Sequence, residues 1–130
     1  MRRRSRRGQG IAEAVTAAII LVPIALCLFD FLVVVIVNSM NDTACKNAAR
    51  AAANTPNGTD AYTAATKSLM TVHNPFLASI ELEECTYAGP DTVLVKTRAV
   101  MNLPVPFPGY QTLTFIAQDV EPIVGTAPPP

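Results

Sequence analysis

The chain is poor in the groups that carry out chemistry. Its one histidine, His73, stands beside Asn74-Pro75 where a helix would end, with no partner residues patterned around it, so it reads as a cap or packing residue and not as a base or ligand. Positive charge is scarce beyond Gly8: residues 1–8 hold five of the ten basic residues and none of the ten acids, which leaves the remainder at a formal −5. That balance excludes nucleic acid as a partner. A long apolar run takes up much of the first third, and about 75 residues after Ala53 are left for one small domain. A catalytic core of any size is not expected.

What is present is concentrated in the first 37 residues: Arg2, Arg3, Arg4, Arg6 and Arg7, then Gly8, a single acid at Glu13, and an apolar run from Ala14 to Val37. Only Thr16, Pro23 and Asp30 break the run. As a helix it spans roughly 36 Å at ~1.5 Å per residue, enough for a ~30 Å hydrocarbon core. Short basic flanks mark the cytoplasmic side, so the predicted topology is N-terminus in and C-terminus out. A cleaved secretory signal has an apolar stretch of only ~7–15 residues and no acid in its first turn. An acid within a hydrocarbon-seeking helix costs ~2.5–3.5 kcal/mol at the bilayer centre, less near its edge, and normally has a partner.

From Gln9 to about Ala53 only Pro23 opposes a helix, and the outer part repeats Met40, Ala44, Ala48, Ala51 and Ala52 at helical spacing, a stripe suited to lying against a sheet. Asn54-Thr-Pro-Asn-Gly58 ends it. A second helix is expected from Asp60, with Tyr62, Ala65, Leu69 and Val72 on one face, stopped by Asn74-Pro75. Strands follow. Ile80 and Leu82 alternate with Glu81 and Glu83; after a turn at Gly89-Pro90-Asp91, Val93, Val95, Ala99 and Met101 oppose Lys96 and Arg98; Leu113, Phe115 and Ala117 mark a third strand. Between the last two, Leu103-Pro-Val-Pro-Phe-Pro-Gly-Tyr110 reads as an extended crossover, because its prolines remove ladder donors. The expected fold is α+β: a leader at 1–8, a long helix at 9–54 whose transmembrane part is 14–37, a small extracytoplasmic domain at 55–124 with a short helix and a three-stranded antiparallel sheet, and a proline-rich tail at 125–130.

Three motifs have ordinary readings. Glu81, Glu83 and Cys85 share one strand face by parity, an arrangement able to hold a cation but more simply a solvated face. Asn41-Asp-Thr43 and Asn57-Gly-Thr59 match the glycosylation sequon, a triplet common by chance. Cys27 lies in the apolar run as a small apolar residue, whereas Cys45 and Cys85 fall on the exported side, where disulfides persist, and form the candidate bridge.

Gly8 to Glu13 reads Gly-Gln-Gly-Ile-Ala-Glu. This resembles the prepilin signal of type IV pilins and pseudopilins. The resemblance implies cleavage between Gly8 and Gln9 by a prepilin peptidase, with the apolar helix kept and Glu13 fifth in the mature chain; a cut after Gly10 would place it third. It also implies that Glu13 pairs with the N-terminal amine of a neighbouring subunit during assembly. Arg7-Gly8 before Glu13, Pro23, Phe29-Asp30-Phe31, Asn47-Ala-Ala-Arg50-Ala-Ala and Leu103-Pro-Val-Pro-Phe107 together are similar to the TadE-like proteins of tight-adherence pili. Ala14 replaces the aromatic residue that usually follows the glutamate in the major pilins of this system, and those are much shorter. A minor pilin or pseudopilin is therefore expected, not an enzyme and without a cofactor. Its implied partners are the peptidase, other pilin subunits, the assembly machinery and the bacterial inner membrane, with a later place on a surface pilus. The alternative is a single-pass membrane anchor that displays an extracytoplasmic interaction domain.

Overall fold

The structure is a computed structural model that describes residues 7–55, 58–87, 91–107 and 109–124. The arginines up to Arg6, Asn57 of the second sequon, the Gly89-Pro90 turn and the tail from Gly125 lie outside the described residues. Five elements follow in order: α1 (Arg7–Ala53), α2 (Gly58–Leu69), β1 (Leu77–Tyr87), β2 (Thr92–Phe107) and β3 (Tyr110–Pro122). The strands form one antiparallel sheet in the order β1-β2-β3, giving the expected α+β fold.

Helix α1 has 47 residues and continues through Pro23. It is about 70 Å long at ~1.5 Å per residue. Its buried positions, Asp30, Val33, Val37, Asn41, Ala44, Cys45, Ala48, Ala49, Ala52 and Ala53, recur every three or four residues and form a single stripe. Below Asp30 there is no stripe: every residue from Gly10 to Phe29 is exposed. The domain therefore grips α1 from residue 30 upward, and its contact overlaps the upper end of the apolar run.

The stripe packs on β2 and β3, while α2 lies beside α1 and over β1. Small residues set the spacing. Ala44, Ala48, Ala49 and Ala52 of α1 meet Ala61 and Ala65 of α2, with Leu69, Val93 and Val95 filling the rest of this upper core. A lower core joins Val33 and Val37 to Met101, flanked by Phe76, Leu77, Leu103, Leu113 and Phe115. The inward side of α2 is Ala61, Ala65 and Leu69, whereas Tyr62, expected to face the core, is 51% exposed.

On β2 the odd positions Val93, Val95, Thr97, Ala99 and Met101 are buried and the even ones face out, as expected from parity. Strand β1 departs from simple parity, because its register against β2 slips between Leu82 and Glu84. Leu82 pairs with Thr97 and Glu84 with Lys96, so Cys85 turns inward opposite Val95 while Glu81 faces out opposite Arg98. The expected shared face of Glu81, Glu83 and Cys85 does not exist; a bulge divides it.

The proline-rich segment is corrected as well. It is the end of a β2–β3 hairpin and not a crossover, since β2 runs to Phe107 and Tyr110 begins β3. Pairing lapses between Asn102↔Thr112 and Phe107↔Tyr110, across Pro104 and Pro106, which have no N–H to give. Gly109 takes a φ of 92°, the left-handed conformation that glycine supplies without strain.

Polar contacts along the seam fix the helix against the sheet. Thr97 Oγ1 donates to Asn41 Oδ1 at 2.9 Å, and Asn41 Nδ2 donates to the Phe115 carbonyl at 3.4 Å. Both Asn41 and Thr97 are buried. At the upper end Val124 N donates to the Ala53 carbonyl at 3.2 Å, satisfying one of the helix's terminal acceptors. Thr97→Val should lower stability by ~1–3 kcal/mol, since it leaves the Asn41 oxygen buried without its donor. Thermal unfolding in detergent, followed by circular dichroism, measures this; Asn41→Leu combined with Thr97→Val should cost less than the two single changes added together.

Candidate assembly interface

The predicted processing and assembly residues all lie at the N-terminal end of α1. Gly8 and Gln9 occupy its first turns. Glu13 follows one turn later and is exposed. Around and above it Ile11, Val15, Ile19, Ile20, Leu21, Val22, Ile24, Leu26 and Leu28 are between 41% and 68% exposed, so apolar side chains point outward on every side of the helix. A helix apolar all round is stable only when lipid or other protein surrounds it. The best window within Gly10–Ala53 has a mean hydropathy of 3.0, and this helix is long and apolar enough to cross a membrane.

Local chemistry suits a medium without water. Thr16 Oγ1 donates to the Ala12 carbonyl at 2.9 Å, so the one hydroxyl in the first half of the run is satisfied within the helix. Pro23 cannot donate to the carbonyl of Ile19, an acceptor left for a neighbour to fill. Glu13 makes no side-chain hydrogen bond among the described residues.

Asp30 marks the boundary between the uncovered and covered parts. It is 5% exposed, and its Oδ1 accepts from Val105 N at 3.1 Å. Its Oδ2 is buried with no partner among the described residues. On either side, Phe29 meets Phe76 edge-on with ring centroids 6.4 Å apart, while Phe31 is 63% exposed. Above this level the side of α1 away from the sheet stays apolar through Leu32, Val35 and Ile36, then turns polar at Asn38 and Ser39.

Cys45 and Cys85 reach the same upper core, but as free thiols; the bridge expected from their compartment is not formed here. Cys45 Sγ donates to the Val95 carbonyl at 3.4 Å, and Val95 is the residue opposite Cys85. Burial raises both thiols above their usual range; for Cys45, hydrogen bonding with Thr97 opposes the rise and the charge of Asp119 adds to it.

The remaining polar groups make a conventional outer surface. Glu83 accepts from Arg98 at 2.6 Å and lies 3.4 Å from Lys96; the Arg98 hydrogen bond is the main reason its carboxyl is held below the usual range. Arg50 pairs with Glu121 at 3.2 Å. His73 is exposed beside its own turn, with Nδ1 3.2 Å from the Thr71 carbonyl. Between α2 and β1 an open groove of about 430 Å³ is lined by Tyr62, Leu69, Met70 and Ile80 among others, with Glu81 its only acid. Among the described residues no group of three or more His, Cys, Asp or Glu side chains is placed to hold a metal ion.

Sequence reasoning placed Asp30 only as a break in the apolar run and within a motif, and Asn41 only in a sequon. Asp30 carries its own signal as the one charge between Ala14 and Val37. The sequon at Asn41 is closed off, since both of its amide atoms are engaged inside the core. Comparison with protein-family models, with curated proteins and with solved structures finds no match.

Raised thiols predict a defined pH response. A thiol held above its unfolded value binds its proton more tightly when folded, so its contribution to stability is complete below the ordinary thiol range and lost as pH climbs through the folded value. Iodoacetamide should therefore modify Cys45 slowly in folded protein at neutral pH and rapidly once the protein is unfolded, with the melting temperature falling in alkali. Peptide mapping of the alkylated sites measures the first effect and a pH series of melts the second.

Proposed function

We propose that this chain is a TadE-like minor pilin or pseudopilin, processed by a prepilin peptidase and incorporated into, or assisting the assembly of, a tight-adherence pilus. The observation that carries the reading is the continuity of α1. One unbroken helix presents an apolar surface on all sides from Gly10 to Phe29 and then becomes the spine of a small domain from Asp30 to Ala53.

On this reading the uncovered part first spans the inner membrane, with the N-terminus cytoplasmic and the domain outside. It is later transferred into a bundle of like helices, where the same side chains meet protein in place of lipid. The role is assembly and not catalysis. Gly8 supplies the small residue at the cleavage point and Gln9 the new amine. Glu13, fifth from that amine, is the acid on the exposed apolar surface. Opposite charges attract more strongly in a low-dielectric bundle than in water, so the amine of one subunit would find Glu13 of the next.

Two measurements test the reading against a permanent anchor. Intact mass should show a mature chain beginning at Gln9, and a bulky residue at Gly8 should leave full-length precursor in the membrane. Glu13→Ala should leave processing and insertion intact, because it makes the helix more apolar, yet reduce co-purification with pilus components at matched membrane abundance. A buried pair that loses one partner typically costs ~3–5 kcal/mol, so a drop of about tenfold or more is expected. Equal recovery, or an unprocessed chain in cells with active peptidase, would favour an anchored extracytoplasmic interaction protein.

A further inference from the structure

We propose that the tip of the β2–β3 hairpin, residues 103–107 with Gly109 and Tyr110, is a second membrane-contacting element, seated in the boundary between headgroups and acyl chains of the bilayer that α1 crosses. The proposal rests on the membrane reading of α1 and is independent of the pilin reading.

The first argument is height. Strand β2 runs down α1 as the helix runs up: Cys45 bonds Val95, Asn41 bonds Thr97, Val33 and Val37 pack on Met101, and Asp30 bonds Val105. The hairpin tip lies beyond Val105 and so at or below the level of Asp30. The uncovered stretch of α1 beneath that level, Gly10 to Phe29, measures about 30 Å at ~1.5 Å per residue, the thickness of the hydrocarbon core. A bilayer centred on this stretch, lower than the 14–37 span read from the sequence because Asp30, Val33 and Val37 are buried in the domain, brings its outer boundary to Asp30 and to the tip.

The second argument is chemistry. Leu103-Pro-Val-Pro-Phe-Pro-Gly-Tyr110 carries no charge, and its three prolines have no N–H to leave unsatisfied. The Val105 N–H, between two of them, is given to Asp30 Oδ1, and Phe107 pairs with Tyr110 in the ladder. Backbone donors are the main cost of bringing an irregular segment out of water, and here prolines delete three of them and Asp30 takes up that of Val105. Tyr110 is 68% exposed at the turn, and Phe29, Phe31 and Phe76 lie at the same height. Aromatic side chains of this kind concentrate at membrane–water boundaries. The exposed side chains described at the tip, Pro106 and Tyr110, are uncharged, whereas the outward face of the sheet above it mixes Ile116 and Val120 with the charged or polar Glu81, Lys96, Arg98 and Gln118.

The chain contains no tryptophan, so a single introduced indole reports its own depth. Tyr110→Trp, Tyr62→Trp and Leu21→Trp in the full chain, each reconstituted into phosphatidylcholine vesicles, are to be quenched by iodide and by nitroxide lipids labelled near the headgroup or near the chain terminus. Leu21→Trp should respond to the deep label and Tyr62→Trp to iodide. Tyr110→Trp should respond several-fold more to the shallow label than to iodide, with blue-shifted emission. Iodide quenching of Tyr110→Trp, with Leu21→Trp quenched by the deep label, overturns the hairpin's role while sparing the membrane reading. Protection of Tyr110→Trp from every quencher also overturns it, since protein then covers the tip. Failure of Leu21→Trp to sense lipid removes the membrane reading and the proposal together.

Discussion

The structure depends on the axial position of the sheet along α1, and that position is held by a few directional bonds on a seam that is otherwise smooth. Alanine and valine give the seam its area, but hydrophobic burial is non-directional and would tolerate a shift by one helical turn. Asn41 does not tolerate it. Its amide accepts from Thr97 on the central strand and donates to the Phe115 carbonyl on the edge strand, both inside the core. A slip would strand three polar groups at once, each at ~1–3 kcal/mol. Asp30 repeats the device three turns lower through Val105.

Once the height is fixed, the rest of the architecture follows from size and polarity. Alanines at 44, 48, 49 and 52 let α2 approach closely enough for Ala61 and Ala65 to fill the gap, leaving no room there for larger side chains. Lower down, valines, Met101 and aromatic rings fill a wider space where α2 has ended. The lower core therefore holds the chain's bulk near Asp30, where the covered helix gives way to the bare one. The outer face of the sheet carries the domain's ion pairs, and its foot is apolar and aromatic.

Much of this was legible in the sequence, for local reasons. The long helix is written in uninterrupted apolar and alanine-rich residues, and the inward side of β2 in strict alternation from Val93 to Met101. The glycine-to-glutamate spacing is a matter of five positions and needs no tertiary knowledge. What escaped depends on pairing. The bulge between Leu82 and Glu84 reverses the side of Cys85, and a one-residue slip leaves no trace in composition. The prolines after Leu103 show that the ladder must fail there, but not that β3 turns back beside β2. Tyr62 has the periodicity of a core residue and lies outside because Ala61 fits the alanine-lined groove instead. The role of Asn41 was hidden for the same reason: a buried amide is recognisable only once its partners on two strands are known.

The division of α1 also bears on how one helix can serve two surroundings on the proposed reading. A helix leaving lipid for a protein bundle must expose the same side chains to both, so none of them can be committed to its own domain. From Gly10 to Leu28 every residue is exposed. The domain's hold begins at Asp30, where the contact is polar and edge-on aromatic, and strengthens upward through Val33, Val37 and Asn41. Because the seam lies wholly on the covered part, moving the lower helix from one medium to another leaves the packing of the domain unchanged. The group most sensitive to that transfer is then Glu13, whose carboxylate has no bond within the described chain to soften the loss of water. On the proposed reading, its isolation on the bare helix is what calls for a partner from a neighbouring subunit.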